Sequence, residues 1–225
     1  MTKSLMARTH IEETGLIPSL HPRTLDDARF AAETLADAGL PLLEIVMTAP
    51  GSVDAVADLV KRIPPLVVGA DVSSLEAARR AIAEGAAFIT SPGVEPRIVE
   101  LALEHHVLAV PGAMTPTEVA TAWEARADFV KIFPCAPLGG DAYIRALRAP
   151  FPEVRLVASG GVNQQNAASL VRAGAVALGV GTALIPVEAV HERRRDWIIE
   201  LSRRFLRLVA EGRQDAAAGG PLRTC

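Results

Sequence analysis

The 225-residue sequence predicts an α/β fold, a (β/α)8 TIM barrel with an additional helix at its N-terminus. Three observations carry this. Short apolar runs alternate with helix-patterned segments eight times along the chain. Four helix-to-strand joints look alike: Ala38-Gly-Leu-Pro-Leu-Leu, Glu84-Gly-Ala-Ala-Phe-Ile, Ala125-Arg-Ala-Asp-Phe-Val and Ala173-Gly-Ala-Val-Ala-Leu. They read as one repeated unit, with a glycine suited to a helix C-cap in three and Arg126 in its place in the fourth. Finally, 50% of the residues are hydrophobic but only 4% aromatic, so the core is built from Ala, Val, Leu and Ile, as in parallel sheets wrapped by helices. An open doubly wound sheet is the main rival, but it more often has five or six strands and a glycine-rich turn after the first. Here that turn reads His21-Pro-Arg-Thr24.

In order, a short N-terminal helix precedes a first strand at Leu16–Leu20, and Thr24 caps a helix that runs to Ala38-Gly39. The second strand is Pro41–Met47, followed by a helix from Ser52 and a third strand at Leu66–Ala70. Helix Ser74–Glu84 leads to strand Ala87–Thr90, helix Pro96–Glu104 to strand Val107–Val110, and helix Thr117–Ala125 to the strand in Asp128–Pro134. Then come helix Asp141–Arg148, strand Arg155–Ala158, helix Gln164–Ala173 and strand Ala175–Gly179. In Val187–Arg213, Trp197, Ile198, Leu201, Phe205 and Leu208 fall at roughly helical spacing among arginines. They form the apolar stripe of a last barrel helix rather than a membrane or partner helix. One domain over residues 1–213 is expected, with 214–225 an Ala- and Gly-rich loose tail.

Net charge is −3, and although Arg193-Arg194-Arg195 is locally basic, no nucleic-acid-binding footprint emerges. No apolar run reaches the roughly 18 residues of a membrane span. Cys135 and Cys225 form no metal-type pair, so a reduced, soluble, cytoplasmic protein is expected, with no membrane or nucleic-acid partner. The five histidines make no cluster with carboxylates at a strand end, and no metal or other cofactor is expected.

Polar residues in the second half of a barrel strand are the ones to question, because barrel active sites lie at the C-terminal strand ends. Glu44 interrupts Leu42-Leu43 and Ile45-Val46, and Lys131 interrupts Phe129-Val130 and Ile132-Phe133. A lysine among apolar side chains loses hydration that favours its charged form, and its neutral amine attacks carbonyl carbons to give a Schiff base. A nearby carboxylate can then move protons on the adjacent carbon and on the leaving oxygen. Together they point to carbon–carbon bond cleavage or formation without a metal; the plainer alternative is a structural ion pair across the barrel. Ser159-Gly160-Gly161 and Gly179-Val-Gly-Thr182 follow the seventh and eighth strands, where barrels commonly bind phosphate, although tight turns alone would also use such glycines. Cys135 is read as a small buried residue.

Five motifs extend the reading: Leu43-Glu-Ile-Val-Met-Thr48, Thr90-Ser-Pro-Gly93, Val110-Pro-Gly-Ala-Met-Thr-Pro-Thr-Glu118, Val130-Lys-Ile-Phe-Pro-Cys135 and Ala158-Ser-Gly-Gly-Val-Asn163. On these the chain resembles the bacterial 2-keto-3-deoxy-6-phosphogluconate aldolases, a family that includes 4-hydroxy-2-oxoglutarate aldolase activity. The resemblance implies a homotrimeric class I aldolase that cleaves a phosphorylated 2-keto-3-deoxy sugar acid to pyruvate and glyceraldehyde 3-phosphate. It implies Lys131 as the Schiff-base lysine and Glu44 as the acid/base group. Ser159, Gly160, Gly161, Gly181 and Thr182 match the phosphate-binding turns, the Pro92 and Thr115 regions match strand ends that line the pyruvate pocket, and Phe133 is expected among the substrate-binding residues. The alternatives are an aldolase for an unphosphorylated 2-keto acid such as 4-hydroxy-2-oxoglutarate, and a non-catalytic barrel that binds a keto acid or sugar phosphate. Two departures stand out. The arginine common after the second strand, which helps to hold the pyruvate carboxylate, is missing around Met47-Thr48, and Gly-Ala-Gly-Thr-Val after the third is replaced by Gly69-Ala-Asp-Val-Ser73. The threonine that usually faces the keto-acid carboxylate is thus Val72, and Asp71 adds a negative charge, which Arg23, Arg79, Ser73 or Ser74 would have to offset. Imine chemistry is expected to be kept, with altered affinity or substrate preference.

Overall fold

The chain folds as a closed ring of parallel strands wrapped by helices, in a computed structural model that describes residues 2–48, 51–64 and 66–218. Strands β1 (Leu16–Leu20), β2 (Leu42–Val46), β3 (Val67–Asp71), β4 (Phe88–Thr90) and β5 (Leu108–Val110) pair in sequence order. The other half of the ring is β6 (Gly112–Ala113), β7 (Val130–Ile132), β8 (Leu156–Ser159) and β9 (Ala177–Val180), and β9 returns to β1. β5 and β6 are two halves of one barrel strand. Pro111 between them has no N–H to give, yet its carbonyl accepts from Lys131 N at 2.8 Å, which carries the ladder across the break. The nine strands therefore occupy eight barrel positions, and Lys131 sits on the sixth.

Helices α2 (Leu25–Asp37), α3 (Ser52–Arg62), α4 (Leu75–Ala83), α5 (Pro96–Glu104), α6 (Pro116–Glu124), α7 (Asp141–Arg148) and α8 (Ala167–Arg172) connect the strands. The chain leaves β9 through α9 (Val187–His191) into α10 (Arg195–Ala218), which packs on α8 and α2. The four similar joints do share a geometry. Gly39, Gly85 and Gly174 have positive φ, and Arg126 adopts the same left-handed conformation at φ 67°. α8 starts later than its pattern predicts, because the Asn163 side chain accepts from Gln165 N and Asn166 N at 2.9 and 3.2 Å and holds those residues in a turn. The helix of the C-terminal stripe continues past residue 213 through Ala218, so 214–218 are helical. The rest of the anticipated tail, 219–225 with Cys225, lies outside the described residues. No helix among the described residues is long and apolar enough to cross a membrane.

Strand periodicity divides the apolar residues into two cores. Leu43, Ile45, Val130, Ile132, Leu156 and Leu178 pack outward under the helices. Ile17, Leu42, Val67, Phe88, Leu108, Phe129, Val157 and Ala177 fill the barrel interior, and helix α1 (Lys3–Thr14) adds Ala7 and Ile11 to that interior cluster. Gly69 leaves room for the Phe88 ring, which a Cβ at that position would strike. One step further along the same inward-facing registers come Ser19, Glu44, Thr90, Lys131 and Ser159. A polar layer thus rests directly on the apolar one.

Candidate active site

Four of this layer, Ser19, Glu44, Lys131 and Ser159, floor a cavity of about 450 Å³ at the C-terminal ends of the strands, with Thr90 held between Glu44 and Lys131. Glu44 and Lys131, exposed by only 3% and 4%, reach it from the second and sixth barrel positions. They do not pair directly. Ser19 Oγ donates to Glu44 Oε1 at 2.7 Å and Thr90 Oγ1 donates to Glu44 Oε2 at 2.6 Å, so both carboxyl oxygens are held. Lys131 Nζ donates to Asp71 Oδ2 at 3.1 Å and lies 3.4 Å from Thr90 Oγ1. Thr90 is thereby a one-hydroxyl bridge between the amine and the carboxyl. Burial pushes the Glu44 carboxyl above the ordinary carboxylate range; the Lys131 charge and the two hydroxyl donors oppose this, and the Asp71 charge adds to it.

Phe133 stands over Lys131, with its ring centroid 5.4 Å from Nζ. Opposite β3, at the β8 and β9 ends, Ser159, Gly160, Gly161, Gly181 and Thr182 line the same cavity. Gly160 and Gly161 take φ of 82° and 80°, and a Cβ on either would come within 2.8 Å of Pro134 Cα or 2.6 Å of Ala136 Cβ. That backbone demands glycine, and it brings the main chain bare to the cavity wall. Gly179 likewise leaves space for the Ser159 hydroxyl, 2.6 Å from where its Cβ would stand.

Of the residues anticipated from sequence, Lys131, Glu44, Pro92, Phe133, Ser159, Gly160, Gly161, Gly181 and Thr182 line this one cavity. Thr115 is not among its lining residues. Its hydroxyl accepts from Glu118 N at 3.3 Å while the Glu118 carboxylate accepts from Thr115 N at 2.7 Å, a capping box that starts α6. The ion-pair alternative is redirected: the carboxylate against Lys131 is Asp71. Ser73 lines the cavity, whereas Ser74 caps α4 by accepting from Ala77 N, and Arg23 and Arg79 are not among the lining residues. Among the described residues that line it, Lys131 is the only lysine or arginine. Cys135 is buried beside the site but not in its wall. Burial and the Asp141 charge push its thiol up to about 11.

Sequence reasoning missed Ser19 and Thr90 as site groups, and also His21 at the cavity rim. The signal was the one that found Glu44: a polar side chain in the later half of a strand, on the inward-facing parity.

A family model described as KDPG and KHG aldolase matches residues 8–201. A 2-dehydro-3-deoxy-phosphogluconate aldolase of Treponema pallidum is 31% identical over 200 residues, spanning 88% of this chain and 95% of its own. Among solved structures, a KDPG aldolase of Legionella pneumophila, with pyruvate captured at low pH as a covalent carbinolamine intermediate, superposes with a TM-score of 0.81. It is 25% identical over 90% of this chain and 97% of its own. A cube-shaped protein cage designed by fusing symmetric oligomeric domains superposes with a TM-score of 0.82 and 26% identity, over 91% of this chain and 75% of its own.

Proposed function

Because the chain belongs to the KDPG and KHG aldolase family, we propose that it is a class I aldolase that cleaves 2-keto-3-deoxy-6-phosphogluconate to pyruvate and glyceraldehyde 3-phosphate. The observation that carries this reading is the bridge Lys131–Thr90–Glu44, which places an amine and a buried carboxyl on the two sides of one hydroxyl at the cavity floor. The Lys131 amine adds to the keto carbon, the protonated Glu44 carboxyl gives its proton to the carbinolamine hydroxyl, which leaves as water, and the iminium forms with Glu44 now a carboxylate. Glu44, directly or through a water, takes the proton of the C4 hydroxyl. The C3–C4 bond breaks, the aldehyde departs, and the bonding pair flows into the iminium as an enamine. Glu44 then returns the proton to C3, and water hydrolyses the imine to release pyruvate and the free lysine.

The backbone at Gly160, Gly161 and Gly181, with the Ser159 and Thr182 hydroxyls, is the proposed seat of the phosphate. It faces the interior from barrel positions seven and eight, one and two steps around the ring from Lys131. This distance favours a substrate whose reacting carbon is several bonds from its phosphate. The aldolase is proposed to act as a homotrimer in the cytoplasm. The trimer is what the resemblance to the family implies, and the likeness to a chain used in a cage fused from symmetric oligomeric domains supports a symmetric oligomer; mass in solution tests it.

Borohydride trapping is the direct test. With pyruvate it adds a reduced pyruvyl group to the peptide that carries Lys131, and Lys131→Ala abolishes both the adduct and turnover while leaving the thermal transition in place. Absence of any adduct on the wild-type enzyme would sink the imine mechanism and leave a binding-only barrel. Side-by-side assays with phosphorylated and unphosphorylated 4-hydroxy-2-keto acids separate the sugar acid phosphate from 4-hydroxy-2-oxoglutarate as substrate.

A further inference from the structure

Asp71 has no part in the chemistry above, yet it is the charged group closest to the reacting amine. It ends β3 on the inward parity, two residues beyond Gly69, and pairs in register with Val46 and Thr90. Its Oδ2 accepts from Lys131 Nζ at 3.1 Å, while its Oδ1 is buried and has no hydrogen-bond partner among the described residues. A buried carboxylate oxygen without a donor is costly, and it leaves the Asp71 carboxylate with Lys131 as its one side-chain donor among the described residues.

The ring order says which part of the substrate meets it. With the phosphate at barrel positions seven and eight, the third position lies across the barrel, so the end of the substrate away from the phosphate lies toward β2, β3 and β4. The lining there is Met47, Thr48, Asp71, Val72, Ser73 and Pro92, with no cation. The N–H of Val72 is already committed to Thr90 O at 2.9 Å. Once the keto carbon is bonded to Nζ, the substituent that carbon bears on this side is two bonds of about 1.5 Å from the nitrogen. It is therefore held within a few ångströms of the Asp71 carboxylate. A carboxylate there meets like charge in a partly buried setting; a hydroxyl there can donate to the part of the Asp71 carboxylate that is open to the cavity.

We propose that Asp71 sets donor specificity: it disfavours a carboxylate on the carbonyl carbon that Lys131 attacks and admits uncharged carbonyl donors bearing a hydroxyl beside that carbon. The sugar acid phosphate proposed above remains a substrate, held by its phosphate end and bound less tightly at this end than a hydroxyketone donor is, and the inference rests on the Schiff-base reading of Lys131.

Pyruvate and hydroxyacetone are the matched probes, since they differ only in carboxylate against hydroxymethyl. Each forms an imine with the Lys131 amine by loss of water, and borohydride delivers hydride to the iminium carbon to leave a stable secondary amine. The concentration of each probe that half-saturates trapping is read by intact mass, for the wild type and for Asp71→Asn. Asp71→Asn also loosens the Lys131 ion pair and so changes the amine for both probes; their ratio cancels that effect. The expected result is that wild-type protein is half-trapped at a lower concentration of hydroxyacetone than of pyruvate. Asp71→Asn should shift that ratio toward pyruvate by about tenfold or more. A ratio unmoved by the substitution, or moved toward hydroxyacetone, overturns the specificity role while leaving the lysine chemistry standing. Trapping of neither probe on the wild type overturns both.

Discussion

Thr90→Val is the sharpest probe of the proton-transfer machinery. The side chain is 99% buried and Val is nearly its isostere, so the change removes a hydroxyl and little volume. What is lost is the 2.6 Å bond to Glu44 Oε2 and the 3.4 Å contact to Lys131 Nζ. A hydrogen bond to an ionised group contributes about 1.5–3 kcal/mol, and about 1.4 kcal/mol corresponds to one pKa unit. Because the bond favours the ionised carboxyl, its loss moves the already raised Glu44 titration further upward, so the ionised base present at a fixed pH below it falls by about 10- to 100-fold. The assay is exchange of the pyruvate methyl protons for deuterium, followed by NMR across pH, since it needs the imine and the base but no aldehyde. The acid limb of the exchange profile should move to higher pH, with rates falling about 10- to 100-fold below the new limb and recovering toward the wild-type plateau above it. Borohydride trapping, run in parallel, should show the Lys131 adduct retained. Ser19→Ala removes the other bond, at 2.7 Å, from a half-buried site where water can replace the hydroxyl, so its limb should move less. If Thr90→Val leaves the acid limb unmoved or sends it to lower pH, Thr90 does not hold the carboxylate form of Glu44, and the bridge is not the proton path.

Glu44→Gln should slow methyl exchange far more than it weakens imine trapping, since a carboxamide cannot accept the proton. It should also flatten stability against pH. The native Glu44 carboxyl keeps its proton to higher pH than the unfolded one, so wild-type stability declines as pH rises from the ordinary carboxylate range through the raised native value. Urea midpoints measured across that window should lose this downward slope in the variant, and an unchanged slope would refute the assignment. Gly161→Ala forces a side chain into a backbone at φ 80°, at a cost of about 1–2 kcal/mol, and against Ala136 Cβ. It should raise KM for the phosphorylated substrate while sparing pyruvate methyl exchange; an equal loss in both would place the phosphate elsewhere.

The barrel and its two central charges were legible because each is a local violation of a strong pattern. Alternating elements announce the ring, and Lys131 and Glu44 stand out as charges inside apolar strands. What was not legible depends on register between distant strands. Thr90 is 46 positions from Glu44, and a threonine at a strand end is unremarkable until parallel pairing sets β2, β3 and β4 side by side. Thr115 shows the opposite failure. Its motif carried two readings, and Thr115-Pro-Thr-Glu118 already spelled the capping box that occupies its hydroxyl. The break at Pro111 was hidden for a similar reason, since only the ladder tells whether a missing N–H ends a strand or merely splits it.

Register also explains how the donor end can vary while the chemistry stays put. Lys131, Glu44, Thr90 and Ser19 lie in the layer immediately above Phe88 and Phe129, and the rigid apolar fill beneath fixes their height. Asp71 belongs to β3's last inward position, and Val72 and Ser73 to the loop that follows it, so replacements there alter charge at one end of the cavity without moving the strands that carry the amine and the carboxyl. The phosphate end is set separately, by the turns after β8 and β9. Two ends built on opposite sides of the ring can therefore be tuned independently, and substitutions at Asp71 and Gly161 should combine nearly additively on affinity because the groups share no contact.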